Sequence, residues 1–393
     1  MTEPQVMTLA AASATAMGLP KRSPVTTRIL FGELRTGRIT GVLPVTGAAW
    51  SRVQNDAGTV DQVRVHRSVV AEQRLRQNAA AARCFLAVEQ GDRIRQAGPI
   101  WKHSWSRRDG RLTLGAAGLW SLFDHRKVLP VLAGRRVQDV STTLTGADYG
   151  ELARALVAQA LGDVGGDLPL VLPAARTGSD RTETWPGWAL PDLGEQLRQF
   201  TTRDSGAPDI RFTARRRADD ARFLEFVMET GTAASPQLSQ AGADWTFDTT
   251  VRKGPVLDIA VEQDATEMGM RGWITGNGSE ADTLIATHED LALVQAGYPL
   301  LELERSHSSV EVQSTLDGHA RTLVAARARP VEVWKLTVRA DAALEVLEGD
   351  YARVKTKGDD YLPDGEHRVR VQKISGGLGD TVVLDMYPLK AVI

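Results

Sequence analysis

Apolar and polar residues alternate with a period of two over both ends of the chain. That periodicity commits most of its length to half-buried antiparallel strands. Between residues 28 and about 132, Ile39, Gly41, Leu43 and Val45 share one face, and Val63 and Val65 alternate with Gln62, Arg64 and His66. "ARCFLAVEQGDRI" reads as a strand followed by a turn at Gln90–Gly91–Asp92. Trp101, His103 and Trp105 fall on one strand face, "RRDGR" supplies a hairpin turn through Asp109–Gly110, and Leu112 and Leu114 return on the partner strand. Trp105 and Trp120 are expected to anchor a β wall, with Arg107, Arg108 and Arg111 on a solvated turn. From about 244 the pattern resumes in "WTFDTTVR", "VLDIAVEQ", "RGWITG", "VEVWKLTVR", "YARVKTK", "HRVRVQKIS" and "DTVVLDMYP".

The middle of the chain changes period. Tyr149, Leu152, Leu156 and Ala160 follow helical spacing and end at Gly162. Residues 163–187, rich in Gly, Pro and Thr, read as a long loop. Leu193, Leu197 and Phe200 form the stripe of a second helix that begins near Asp192, and "DIRFTARRRADDARFLEFVMETG" reads as a hairpin with Arg215, Arg216 and Arg217 opposite Asp219 and Asp220. Two more helices are expected in the last third, one from Thr287 to Gly297 with Thr287 and Asp290 as a capping pair, and one ending before Pro330. The layout is a β-rich α+β chain: an N-terminal arm (1–27), a first antiparallel β domain (28–140), a mixed α/β middle (141–243), and a second β domain (244–393) with a helical insert at about 284–330. The arm has the apolar composition of a signal peptide, but Glu3 precedes it and Lys21–Arg22 follow it, so it is read as a flexible arm.

Composition narrows the chemistry. Net charge is −2 and both signs are interspersed, so nothing calls for a nucleic-acid or membrane partner. The lone Cys84 excludes an internal disulfide and a cysteine zinc site and points to folding in a reducing cytoplasm. No apolar run reaches the length of a membrane span. The sequence carries no HExxH, GxSxG, phosphate-loop or dinucleotide motif, and its seven histidines are scattered, so no catalytic, cofactor or metal residues are assigned. The pairs Asp219–Asp220 and Asp359–Asp360 lie in expected turns, where Asp serves the backbone.

Five stretches, in this order, resemble a known family. They are "ELRTGRITGVLPVTGAAWSRVQNDAGTVDQVRV", with Trp50 before an Asn–Asp–x–Gly turn; "VEQGDRIRQAGPIW"; "LTLGAAGLWSLFDHRKV"; "HEDLALVQAGYPLLELERSHSSVEVQSTLDGHARTLV"; and "GDYARVK…LPDGEHRVRVQKIS…GDTVVLDMYP". Their order and spacing, over residues 28–390, are similar to the tail hub proteins of long-tailed phages. They resemble in particular the minor tail proteins of actinobacterial phages, which are related to the baseplate hubs and Gp37-like siphophage tail proteins. The resemblance implies two related antiparallel β-barrel domains per chain and a homotrimer that joins tail tube to tail tip in the virion. It implies a passage for the genome or tape measure protein, a distal tail or tube protein above, tip or fibre proteins below, and no enzymatic role. Trp185, Trp188 and Trp273 are the candidate interface anchors. The alternatives are a six-fold distal tail adaptor and a cell-wall-directed hydrolase or carbohydrate-binding protein.

Overall fold

The computed structural model describes residues 25–203, 206–308 and 310–389, so all but the last three positions of the expected arm lie outside the described residues. The first segment folds as β1 (Thr27–Glu33), β2 (Ile39–Leu43), β3 (Gly47–Val53), β4 (Thr59–His66), the short helices α1 (Arg67–Glu72) and α2 (Leu75–Asn78), β5 (Cys84–Gln90), β6 (Arg93–Ser106), β7 (Arg111–Ala117) and α3 (Trp120–Phe123). The middle holds β8 (Ser141–Gly146), α4 (Tyr149–Leu161), β9 (Leu170–Val171), β10 (Arg181–Pro186), α5 (Leu193–Phe200), β11 (Ile210–Arg216) and β12 (Leu224–Thr230). The last segment holds β13 (Trp245–Asp248), β14 (Val256–Asp264), β15 (Arg271–Thr275), β16 (Ile285–Glu289), α6 (Ala292–Gln295), β17 (Glu302–Ser306) and α7 (Gln313–Arg327). It closes with β18 (Val331–Arg339), β19 (Tyr351–Thr356), β20 (Gly365–Gly377) and β21 (Thr381–Pro388).

Strands from the two ends of the chain join in one sheet of 13 strands, in the order β14-β18-β21-β20-β3-β4-β7-β6-β5-β1-β2, with β19 on β20 and β13 on β19. This corrects the expectation of two closed barrels. Each barrel would have to return its last strand to its first; instead Ala49–Val53 of β3 pair antiparallel with Lys373–Gly377 of β20. One core then serves both ends, running from Ile29, Trp50 and Val63 to Trp334, Val371 and Leu384. Gly376 stands opposite Trp50, and the indole lies across it so closely that a Cβ there would meet ring atoms at 3.0 Å. The seam is therefore closed by an aromatic ring over a glycine.

β5 departs from simple alternation, since all seven of its residues are buried. Cys84, Leu86 and Val88 face the large core, while Phe85 and Ala87 face a second one built with Trp120, Phe123, Leu152, Leu156, Leu197, Phe200 and Phe226. The middle segment covers the sheet there, so both faces of the strand are dry. In α4, Asp148 caps the first turn by accepting the Glu151 N–H at 2.8 Å, and Arg176 pairs with it at 2.7 Å. The long loop read at 163–187 contains β9 and β10. The second pairs antiparallel with β8, with threonine hydroxyls paired on the outer face, Thr143–Thr184 at 3.0 Å and Thr145–Thr182 at 2.9 Å, and Trp185 buried on the other.

The helix expected from Thr287 is also corrected. Thr287 sits in β16, paired with Trp273 of β15, and the helix shrinks to the single turn of α6, which Asp290 starts by accepting the Ala292 N–H at 3.1 Å. β15, β16, β17 and α7 form a lobe with its own small core of Ile274, Ala286, Leu316 and Ala320. The lobe is inserted between β14 and β18, whose ends Asp264 and Val331 are register partners.

Candidate assembly interface

Two kinds of feature set the chain apart from a simple scaffold: a buried ionic clamp at its seam and open polar edges on its sheet. The clamp gathers on the segment 344–350, "LEVLEGD". Arg52 of β3 lies on the inward side of the strand with Trp50 and grips Glu348 with two parallel bonds of 2.6 Å, both side chains buried. Arg211 of β11 donates to the Glu348 carbonyl at 2.9 Å and to the Glu229 carboxylate at 2.9 Å, and Arg370 of β20 donates to the Gly349 carbonyl at 3.0 Å and pairs with Asp209. Gln54 and Asn55 complete Asp209 at 2.7 and 3.2 Å. Arginines from the beginning, middle and end of the chain thus meet on one loop.

The electrostatics follow from burial. Burial and the neighbouring Arg52 charge lower the Arg95 pKa to about 10, although its guanidinium donates to the Leu344 carbonyl. Burial pushes the Asp350 carboxyl up, against bonds from the Leu347 N–H at 3.0 Å and the Trp245 indole at 2.9 Å. For Arg211, burial works against the cation, but the carboxylates of Glu348 and Glu229 outweigh it and raise its pKa. Arg52, Arg211 and Arg370 are paired with carboxylates here, whereas Arg95 Nε and Nη2 and Asp350 Oδ1 are buried without a hydrogen-bond partner among the described residues. The sequence reading missed them; the available signal was a charged residue in the inward register of a strand, as at Arg52.

The tryptophans separate clearly. Trp185 is 6% exposed and donates to Gln196 at 2.8 Å inside the second core, so it serves this chain's own packing. Trp188 is 70% exposed and Trp273 is 38% exposed, on separate elements. Trp120 is buried as expected, on α3 rather than a strand, while Trp105 is 51% exposed and anchors no wall. Gly110 takes the positive φ of the hairpin turn beside Arg107 and Arg108, both exposed. Among the stretches of the sheet with only one neighbour in the described residues, alongside β2 and β13, are β14 and the second half of β6. β14 pairs with β18 alone and carries Asp258, Glu262 and Asp264. The second half of β6, from Ile100, pairs with β7 alone and carries Lys102, His103 and Trp105.

The remaining candidates take up structural places. Asp219 pairs with Arg217 and Asp220 with Arg222, whose bonds hold the Asp220 carboxyl down at about 2. Arg216 leaves that turn to reach Glu89 of β5 at 2.7 Å. Asp359 accepts the N–H groups of Tyr361 and Leu362, as a turn residue does. Among the described residues no three His, Cys, Asp or Glu side chains converge as metal ligands, and no helix is long and apolar enough to cross a membrane.

No family model and no curated protein matches the sequence. Solved structures do match the fold over most of the chain. The tail protein from Neisseria meningitidis MC58 is similar with a TM-score of 0.55 and 13% identity, over 94% of this chain and 98% of that one. The 43 kDa tail protein of prophage MuSo2 from Shewanella oneidensis is similar with a TM-score of 0.54 and 11% identity, over 94% of this chain and 100% of that one. The chain shares the β-rich architecture of these tail proteins over 94% of its length.

Proposed function

We propose that the chain is a structural protein of a phage-type tail, the hub that joins tail tube to tail tip around the exit channel, and that it acts as a homotrimer without bond chemistry. The observation that carries this reading is the fold likeness to two tail proteins over 94% of the chain. The polarity of the sheet supports a ring. β14 carries Asp258 and Asp264 on its open edge and the open half of β6 carries Lys102, and heterologous contacts between edges of opposite sign close into a ring where the rotation between copies closes. The exposed Trp188 and Trp273 are the anchors proposed for contacts with neighbouring chains, which in this reading are a tube or distal tail protein above, tip or fibre proteins below and the tape measure protein within.

Sedimentation equilibrium of the purified chain, followed by cryo-electron microscopy of the assembled tail, tests the reading. Three copies beneath the tube are expected. Six copies would make it a distal tail adaptor, and clearing of host cell wall by the isolated chain in zymography would make it a hydrolase.

A further inference from the structure

The lobe between β14 and β18 has an open sheet face with an organised centre. Gly272 and Ile274 of β15 turn toward α7, where Leu323, Val324 and Leu316 pack, so Arg271, Trp273 and Thr275 turn the other way. Trp273 stands between Thr287 on β16 and Glu304 on β17, and Arg271 between Glu289 and Glu302. Arg271 bridges its neighbours, donating to Glu289 at 2.6 Å and Glu302 at 3.0 Å, and the Trp273 indole N–H donates to the same Glu302 oxygen at 3.1 Å. The indole is thereby fixed while more than a third of it stays exposed. Bonds from Trp273 and Arg271 hold the Glu302 carboxyl below its ordinary range. The Glu304 carboxylate, exposed beside the ring, has no side-chain partner among the described residues.

Three carboxylates against one guanidinium leave this face negative. Arg271 already sits 5.9 Å from the Trp273 ring centroid, so an incoming cation must use the opposite ring face, which adds a negative quadrupole at its centre. We propose that it docks a basic segment of a partner protein, seating an arginine or lysine on the Trp273 indole between Glu302 and Glu304. A cation over tryptophan gains from the ring and from both carboxylates, and because the ring is already held by Glu302, little rotamer freedom is lost on binding. A neutral sugar ring would use the indole but leave the carboxylate charge unanswered. The lobe is an insertion with its own core, so this surface is separable from the large sheet and does not depend on the hub reading.

The test is fluorescence anisotropy of a labelled tetra-arginine peptide titrated into the full chain at low salt. Saturable binding is expected, weakened about fivefold by Trp273→Ala, which removes one cation–π contact, and about twofold by Glu304→Gln. Trp273→Tyr should retain most of the binding, and Tyr361→Ala, at an exposed position between β19 and β20, should leave it unchanged. Unaltered peptide binding in Trp273→Ala would overturn the proposal. So would Trp273-dependent binding of a tetra-glutamate peptide or a chito-oligosaccharide in place of tetra-arginine.

Discussion

Arg52 and Glu348 show how one pair of charges holds distant parts of the chain. Removing one partner of a buried, doubly bonded pair leaves the other charge desolvated and unanswered, which costs about 3–5 kcal/mol. Glu348→Ala should therefore lower the stability measured by guanidinium denaturation by that amount. Glu348→Gln, which keeps an acceptor for Arg52, should lose less. A second residue-scale prediction concerns Gly98 of β6. Its φ is unremarkable, but a Cβ there would sit 1.8 Å from the Ala117 carbonyl oxygen. Gly98→Ala must push β6 from the end of β7 at Ala117–Gly118, and the expected outcome is loss of soluble protein at 37 °C, read by fractionation after expression. The sequence shows neither effect, because both depend on which segment lies alongside, which local periodicity does not record.

Elements whose burial follows one period were legible. β18 reads correctly as Trp334, Leu336 and Val338 inward, and α4 reads correctly from its stripe to Gly162. β10 and β16 were not legible. The first shows paired threonines on its outer face, and the second buries Ala286 alone against Ile274 of β15 and Leu316 and Ala320 of α7, so neither carries an apolar alternation. α4 yields a prediction at this scale. Burial raises the Asp148 carboxyl, but bonds from Arg176 and from the N–H groups of Glu151 and Ala233 prevail and hold its pKa below the ordinary value. The stability it gives is therefore complete above the ordinary aspartate range near 4 and is lost as pH falls through the lower folded value. Asp148→Ala should cost about 1 kcal/mol at pH 7 as a lost cap. The gap in melting temperature between wild type and variant should close as the pH is lowered from 6 to 3.

At the scale of the whole molecule, the β–mixed–β layout and the likeness to tail proteins could be read from the order of the motifs, whereas the merging of both ends into one sheet could not. Local periodicity does not record which strand is the neighbour, and β3 meets β20 across nearly the full length of the chain. The lobe gives a prediction here. Because Asp264 and Val331 are already partners, replacing residues 266–329 by a short turn should leave a hairpin of β14 and β18 and a folded remainder. The expected result is a cooperative melt and, if the hub reading holds, an unchanged oligomer in sedimentation. The seam has a further consequence for biogenesis. Trp50 and Arg52 acquire their final neighbours only when residues 348 and 373–377 have left the ribosome, so the early strands spend almost the whole of synthesis with an uncovered flank. A nascent chain stalled before that point displays a sticky border, and prematurely terminated products should be the ones that chaperones and proteases collect.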